Sequence, residues 1–164
     1  MTEIQNPSKN QSRSEQETIN SYIEVLRAAG HRITEPRAKI CRYLAQTDQH
    51  PTPYQVYADL QEIDPSISRA TVYNTLNTLQ QLGAIVEINF GANHTHYDTD
   101  PTPHINLICL RCHGIEDCHC ELLVGQALQT MVAQHGFQAV ATKVDILGFC
   151  QACQAAMQAD APTE

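Results

Sequence analysis

Residues 52–83 read TPYQVYADLQEIDPSISRATVYNTLNTLQQLG, two helix-length segments on either side of a short turn. Thr52 stands where an N-cap stands, and Pro53 takes the first helical position, where its missing N–H leaves nothing unsatisfied. The apolar residues Val56, Tyr57, Leu60 and Ile63 recur at helical spacing. DPSIS (64–68) breaks the pattern. Ser68 then caps a second helix whose apolar stripe is Val72, Leu76, Leu79 and Leu82, and Gly83 ends it. Two capped helices joined by so short a turn predict a helix-turn-helix.

Upstream, TINSYIEVLRAAG (18–30) has apolar residues at 19, 22, 23, 25 and 26, with Gly30 as a stop. TEPRAKICRYLAQT (34–47) starts at Thr34, carries Pro36 in its first turn, and has the stripe Ala38, Ile40, Cys41 and Leu44. Downstream, AIVEINF (84–90) alternates, GANH is a turn, and THYD (95–98) returns as a second strand. Together these predict a winged helix-turn-helix DNA-binding domain over 18–98. The polar residues 1–17 read as a disordered tail without the apolar segment of a secretory leader. Two prolines in YDTDPTPH (97–104) place a hinge at 99–104. Beyond it, INLICL and GIEDC read as strands, ELLVGQALQTMVAQHG (121–136) as an amphipathic helix, and FQAVATKVDILGFC as one or two strands. QAAMQADAPTE reads as polar, with a frayed tail at 156–164. The expected fold class is α+β: the winged helix-turn-helix domain plus a small C-terminal α/β dimerisation domain, 105–155. That second domain is small for an independent core and offers an apolar edge in INLICL. A second copy would cover it, so a homodimer is expected. No run of eighteen apolar residues occurs, so no membrane partner is expected.

The net charge of −8 is unevenly spread. Residues 1–85 carry eight Lys/Arg against nine Asp/Glu, whereas residues 86–164 carry two against nine. Arg27, Arg32, Arg37, Lys39 and Arg42 face only Glu24 and Glu35 over their stretch. Contact with DNA must therefore be a local, salt-sensitive patch. The N-terminal part of the 68–82 helix offers Arg69, Thr71, Tyr73 and Asn74 for it; Tyr73 can lie on thymine methyls and Asn74 can reach a base edge. The plainer alternative has Tyr73 in the core and Arg69 in solvent. Arg32, Arg37 and Arg42 are candidates for phosphate contacts.

The chain has seven cysteines. An odd number without an export signal points to a reducing cytoplasm and to metal or redox chemistry rather than a disulfide framework. Cys109-x-x-Cys112 and Cys150-x-x-Cys153 form two knuckles, and two knuckles make a tetrahedral S₄ set suited to a structural Zn²⁺. Two unrelated pairs is the alternative. In CLRCHGIEDCHC (109–120) this leaves His113, Cys118, His119 and Cys120 over. Cys41, on a helix stripe, reads as a small core residue.

HRITEPRAKI, HPTPYQVYADL, SRATVYNTLNTLQQLG and HINLICLRC occur in an order that resembles the ferric uptake regulator (Fur) superfamily over about residues 20 to 155. Asn74, and Asp98 six residues before His104, are more similar to the peroxide-sensing PerR branch than to iron-sensing Fur proper. The resemblance implies a dimeric, cytoplasmic, metal-dependent transcription regulator, usually a repressor, acting on a palindromic promoter operator and not an enzyme. It implies structural zinc on the four cysteines and a regulatory Fe²⁺ or Mn²⁺, with Zn²⁺ as the other candidate, on His50, Asp98, His104 and Asp117. The family's fifth position is the second histidine of an H-x-H pair; here the pair reads His104-Ile105-Asn106. An asparagine oxygen is a weak ligand that favours a hard ion such as Mn²⁺. His96, two before Asp98, or His119, two after Asp117, could restore a histidine-rich set suited to Fe²⁺ or Zn²⁺; each is otherwise a loop histidine. Cys118 and Cys120 alternate with Asp117 and His119 and should face away from that site. They are either buried strand cysteines or a thiol redox switch or zinc-sensing set, as in the Zur branch.

An ion whose ligands come from both domains would select one inter-domain angle and, in a dimer, one spacing of the two recognition helices. Moving such an equilibrium from mostly open to mostly closed takes about 5 kcal/mol of differential affinity. With Fe²⁺ bound, peroxide would oxidise His50 or His104 and end repression. A zinc- or iron-responsive repressor and a thiol sensor are the nearer rivals. A zinc hydrolase lacks HExxH or a compact deaminase set, and a zinc adaptor leaves the helix-turn-helix unexplained.

Overall fold

The computed structural model describes residues 15–47, 49–90, 95–100, 104–119, 126–137 and 143–159. The chain divides into two compact units, Met1–Pro101 and Thr102–Glu164.

The first unit holds helices α1 (Glu15–Ala28), α2 (Glu35–Gln46), α3 (Pro53–Ile63) and α4 (Arg69–Gln81), then strands β1 (Val86–Asn89) and β2 (Thr95–Asp98). Caps set the boundaries. The Thr52 hydroxyl accepts the Gln55 N–H while the Gln55 side chain takes the Thr52 N–H, a complete capping box. Ser68 accepts the Thr71 N–H. Thr34 sits at the start of α2, but its side chain makes no capping bond. Gly30 and Gly83 follow α1 and α4 with φ of +81° and +70°, a conformation that costs any other residue steric strain. The core joins Leu26, Ile40, Leu44, Val56, Ile67, Leu76 and Leu79 from all four helices and the α3–α4 turn. That turn is fixed by Asp64, whose Oδ1 accepts the Ser66 N–H at 3.0 Å and whose Oδ2 takes Lys39 Nζ of α2 at 2.8 Å. β1 and β2 pair antiparallel, Val86 opposite Asp98 and Asn89 opposite Thr95, as the alternation implied. The buried Tyr97 ties this wing to α4 by donating its hydroxyl to Asn77 Oδ1 at 3.2 Å.

The stripes need three corrections. Leu82 is 39 % exposed and Ile63 76 % exposed, because each lies at the last turn of its helix, past the packed layer. Thr75, polar by type, is fully buried in their place; its hydroxyl donates back to the Thr71 carbonyl at 2.7 Å, which satisfies it inside the helix. Helix α1 begins at Glu15, inside the stretch read as tail. Glu15 and Glu17 in its first turn favour that start electrostatically, and Glu15 accepts a bond from Gln46 of α2 at 2.8 Å.

The second unit holds β3 (Ile105–Cys109), β4 (Ile115–Cys118), α5 (Gln126–Gln134), β5 (Val144–Gly148) and α6 (Gln151–Ala159). The sheet order is β4-β3-β5. β4 runs antiparallel to β3, and β5 parallel to it. The tail read at 156–164 is corrected up to Ala159: α6 continues through it. Alanine and glutamine are good helix formers, and Cys153, 9 % exposed, anchors the first turn. Among the described residues no helix is long and apolar enough to cross a membrane. Cys120 and residues 121–125 and 138–142, assigned above to a cysteine pair, a helix and a strand, lie outside the described residues.

Candidate metal centres and nucleic-acid face

The four knuckle cysteines converge at one end of the second unit. β3 delivers Cys109, the turn after it Cys112, the link between β5 and α6 Cys150, and α6 Cys153. Their sulfurs all lie within 4.8 Å of one another. Cys112 Sγ and Cys150 Sγ are 3.8 Å apart. A tetrahedron with Zn–S of about 2.3 Å has an edge of about 3.8 Å, so the spacing fits Zn²⁺ and is far too long for a disulfide. The knuckle turn is held by the His113 N–H on the Cys109 carbonyl at 2.9 Å, with His113 itself at φ +62°. Backbone N–H groups of Cys112 and Cys150 hold the Cys109 thiol down to about 5. The neighbouring Cys150 thiol, and then burial, push Cys153 up. Four such sulfurs ionise together only around a cation.

Each unit also gathers a histidine–carboxylate set. In the first, β2 grips the segment before α3 at two points. The Tyr97 N–H donates to the Pro51 carbonyl at 3.0 Å, and His96 Nδ1 lies 2.7 Å from the His50 carbonyl, which can only accept. That brings His50 Nε2 to 3.9 Å from Asp98 Oδ1, with both side chains nearly buried. His96 is therefore engaged in holding His50 by its backbone, and its ring stacks on Phe90 at 5.5 Å. In the second unit, His104 Nε2 lies 3.7 Å from Asp117 Oδ1 and 3.2 Å from Asn106 Oδ1. The His119 ring centre is 5.5 Å from that of His104. Two ligands each about 2.1 Å from a shared ion stand at most about 4.2 Å apart. Both histidine–carboxylate pairs satisfy this limit. An amide oxygen only accepts, so a hydrogen bond between the two takes its proton from Nε2 of His104. A cation would replace that proton.

Two residues hold positions that their sequence context does not signal: His96 as a support for His50, and Asp145, whose Oδ1 accepts the Asn106 amide at 3.0 Å. The sequence offers His96 as a ligand or a loop histidine and not as a support, because its bond to a main-chain carbonyl crosses 46 positions. Asp145 gives no local signal. Cys118, half-buried on β4, joins no metal-sized cluster among the described residues. Cys41 is fully buried, and burial pushes its thiol up to about 11, as a core residue requires.

On α4, Arg69 and Asn74 are exposed and Thr71 and Tyr73 half-buried. The Arg69 guanidinium lies 5.1 Å over the Tyr73 ring and donates to its hydroxyl at 3.1 Å. Tyr73 packs its inner side on the core. Thr71 Oγ1 is 2.8 Å from Ser68 Oγ within the cap. Of the basic residues in α2, Lys39 is paired with Asp64, and Arg37 donates to the Arg32 carbonyl at 2.8 Å.

A winged helix in one unit and a thiolate cluster with a histidine–carboxylate set in the other define a metal-dependent, DNA-binding transcription regulator. The family model of the ferric uptake regulator family matches residues 28–147. The peroxide-responsive repressor PerR of Staphylococcus epidermidis is 34 % identical over 138 residues, 83 % of this chain and 90 % of that protein. Among solved structures, the Vibrio cholerae ferric uptake regulator Fur superposes with a TM-score of 0.63 at 25 % identity, covering 77 % of this chain and 98 % of that one. Helicobacter pylori Fur shares the fold with a TM-score of 0.72 at 17 % identity, covering 89 % and 97 %. The chain belongs to the ferric uptake regulator family, whose members are transcription regulators.

Proposed function

We propose that this chain is a peroxide-responsive repressor of the PerR kind, working in the cytoplasm as a homodimer on a palindromic promoter operator. Its DNA-binding domain spans 18–98, its hinge 99–104 and its dimerisation domain 105–155. The structural zinc is held by Cys109, Cys112, Cys150 and Cys153. The regulatory ion, Fe²⁺ or Mn²⁺, is held by His50 and Asp98 from one domain and by His104 and Asp117 from the other, with Asn106 and His119 beside them. Arg69, Thr71, Tyr73 and Asn74 meet the DNA. The observation that carries the reading is the histidine–carboxylate pair in each unit, 3.9 Å and 3.7 Å, each within reach of one ion. The 34 % identity to a peroxide-responsive repressor supports the choice of signal. For dimerisation, Leu107 and Ile146 pair in register, stay partly exposed and line an open groove of about 480 Å³ with Phe149. Such an apolar sheet face suits a second copy.

Bound Fe²⁺ would supply the electrons that reduce peroxide beside the ligating imidazoles. An imidazole of His50 or His104 that gains an oxygen is a poorer donor, so the two domains are no longer held together and the dimer leaves its operator. Peroxide treatment of the Fe²⁺ form should add one oxygen to a peptide containing His50 or His104 and release DNA, while the Mn²⁺ form stays bound. Release without mass change on either peptide would reject the proposal and turn attention to Cys118 and Cys120.

A further inference from the structure

We infer that Asp145 is the positioning residue that fixes the amide of Asn106, turning its oxygen toward His104 and so giving the regulatory site an oxygen donor where a histidine would give nitrogen. The inference rests on the regulatory site proposed above. Asn106 lies on the central strand of its sheet, directly opposite Asp117 of β4 and directly beside Asp145 of β5. It is 2 % exposed, so both ends of its amide need partners. Its Nδ2 donates to Asp145 Oδ1 at 3.0 Å. Its Oδ1 is 3.2 Å from His104 Nε2. An ionised carboxylate has no proton to give, so the face of the amide toward Asp145 must be the NH₂. The oxygen is thereby committed to the other side.

Asp145 is itself held, because its second oxygen takes Lys143 Nζ at 3.0 Å. A flipped amide would set oxygen against carboxylate and leave only NH₂ facing the site. That nitrogen has no lone pair free for a cation. Asp145, which touches no proposed ligand except Asn106 among the contacts just described, thus decides whether position 106 donates to the ion. An oxygen added to two histidines and two carboxylates favours a hard ion such as Mn²⁺ over Zn²⁺.

The experiment measures Mn²⁺ and Zn²⁺ binding to the full-length, zinc-loaded chain, with free Mn²⁺ read by electron paramagnetic resonance. Asp145→Ala should weaken Mn²⁺ binding about tenfold or more, in the range usual for lost outer partners of metal ligands, and Zn²⁺ binding by less. Asp145→Glu keeps an acceptor-only carboxylate and should retain more Mn²⁺ affinity than Asp145→Ala, whereas Asp145→Asn, which can present NH₂ as readily as oxygen, should not. Asn106→Ala should lose at least as much Mn²⁺ affinity, and adding Asp145→Ala to it should lose no more. If Asp145→Ala weakens Mn²⁺ equally in the Asn106→Ala background, Asp145 acts independently of Asn106 and the inference is overturned. If Asp145→Ala and Asp145→Asn both bind Mn²⁺ like wild type with the four-cysteine zinc retained, the amide needs no carboxylate to orient it, and the inference is again overturned. If His104→Ala leaves Mn²⁺ binding unchanged, the regulatory site itself is refuted, an outcome distinct from the other two, and the inference falls with it.

Discussion

Changing Cys112 to serine should unfold the second unit while leaving the first intact. Cys112 is exposed, so the substitution removes one sulfur and almost no packing. Among the described residues the buried apolar side chains of the second unit are Ile108, Cys109 and Cys153, two of them proposed metal ligands. Ile108 contributes about 1.5–3 kcal/mol by burial. A structural zinc contributes about 10–16 kcal/mol at neutral pH. The metal term therefore exceeds the packing term several-fold, and losing even a third of it removes more than Ile108 provides. The first unit buries fifteen apolar side chains among the described residues and has no such dependence. The assay is zinc stoichiometry together with amide hydrogen exchange. Wild type should hold the zinc through a mild chelator and protect the Leu110 N–H, which donates to the Gly148 carbonyl at 2.8 Å across the knuckles. Cys112→Ser should lose zinc and exchange throughout β3 and β5, while α2 and α4 keep their protection. A zinc-free Cys112→Ser chain that still protected β3 and β5 would refute the argument that the ion is the main stabiliser of this unit.

Leu76→Ala, at a fully buried position of α4, should lower the stability of the first unit by about 2–5 kcal/mol in chemical denaturation; a change within about 0.5 kcal/mol, the size usual for surface substitutions, would mean the helix is not packed as described. Asn74→Ala removes an exposed amide on the same helix and should weaken operator binding about 5- to 150-fold, the equivalent of about 1–3 kcal/mol, with non-specific DNA affinity unchanged; equal loss on both DNAs would assign Asn74 to the phosphates. Lys39, and then Ser66, hold the Asp64 carboxyl down from 3.8 to about 2. Its folded value lies below the unfolded one, so its contribution is complete above about pH 4 and disappears as pH falls through about 2. An NMR titration should find that midpoint, and Lys39→Met should move it back toward 3.8; an unmoved midpoint would show that Lys39 is not the cause.

Short-range chemistry is what the sequence makes legible. Caps at Thr52 and Ser68, stops at Gly30 and Gly83 and the alternation of 84–90 act within one turn or strand, so the winged helix can be read from residues 18–98 alone. The knuckles are legible because CxxC is itself a local unit. Long-range pairing leaves no such trace. Thr75 is buried because a hydroxyl can return its proton to the helix backbone, a choice that its residue type hides. His50 and His96 meet across 46 positions through a main-chain carbonyl, and Asn106 and Asp145 meet across 39 only because β5 lies parallel to β3. Asparagine at 106, taken alone, therefore reads as the loss of a ligand. Beside Asp145 its NH₂ is engaged at 3.0 Å and its oxygen lies 3.2 Å from His104 Nε2. A histidine's donor nitrogen is set by what holds its other N–H; an asparagine's oxygen is set in the same way by what holds its NH₂, and here the neighbouring strand supplies that acceptor at 3.0 Å.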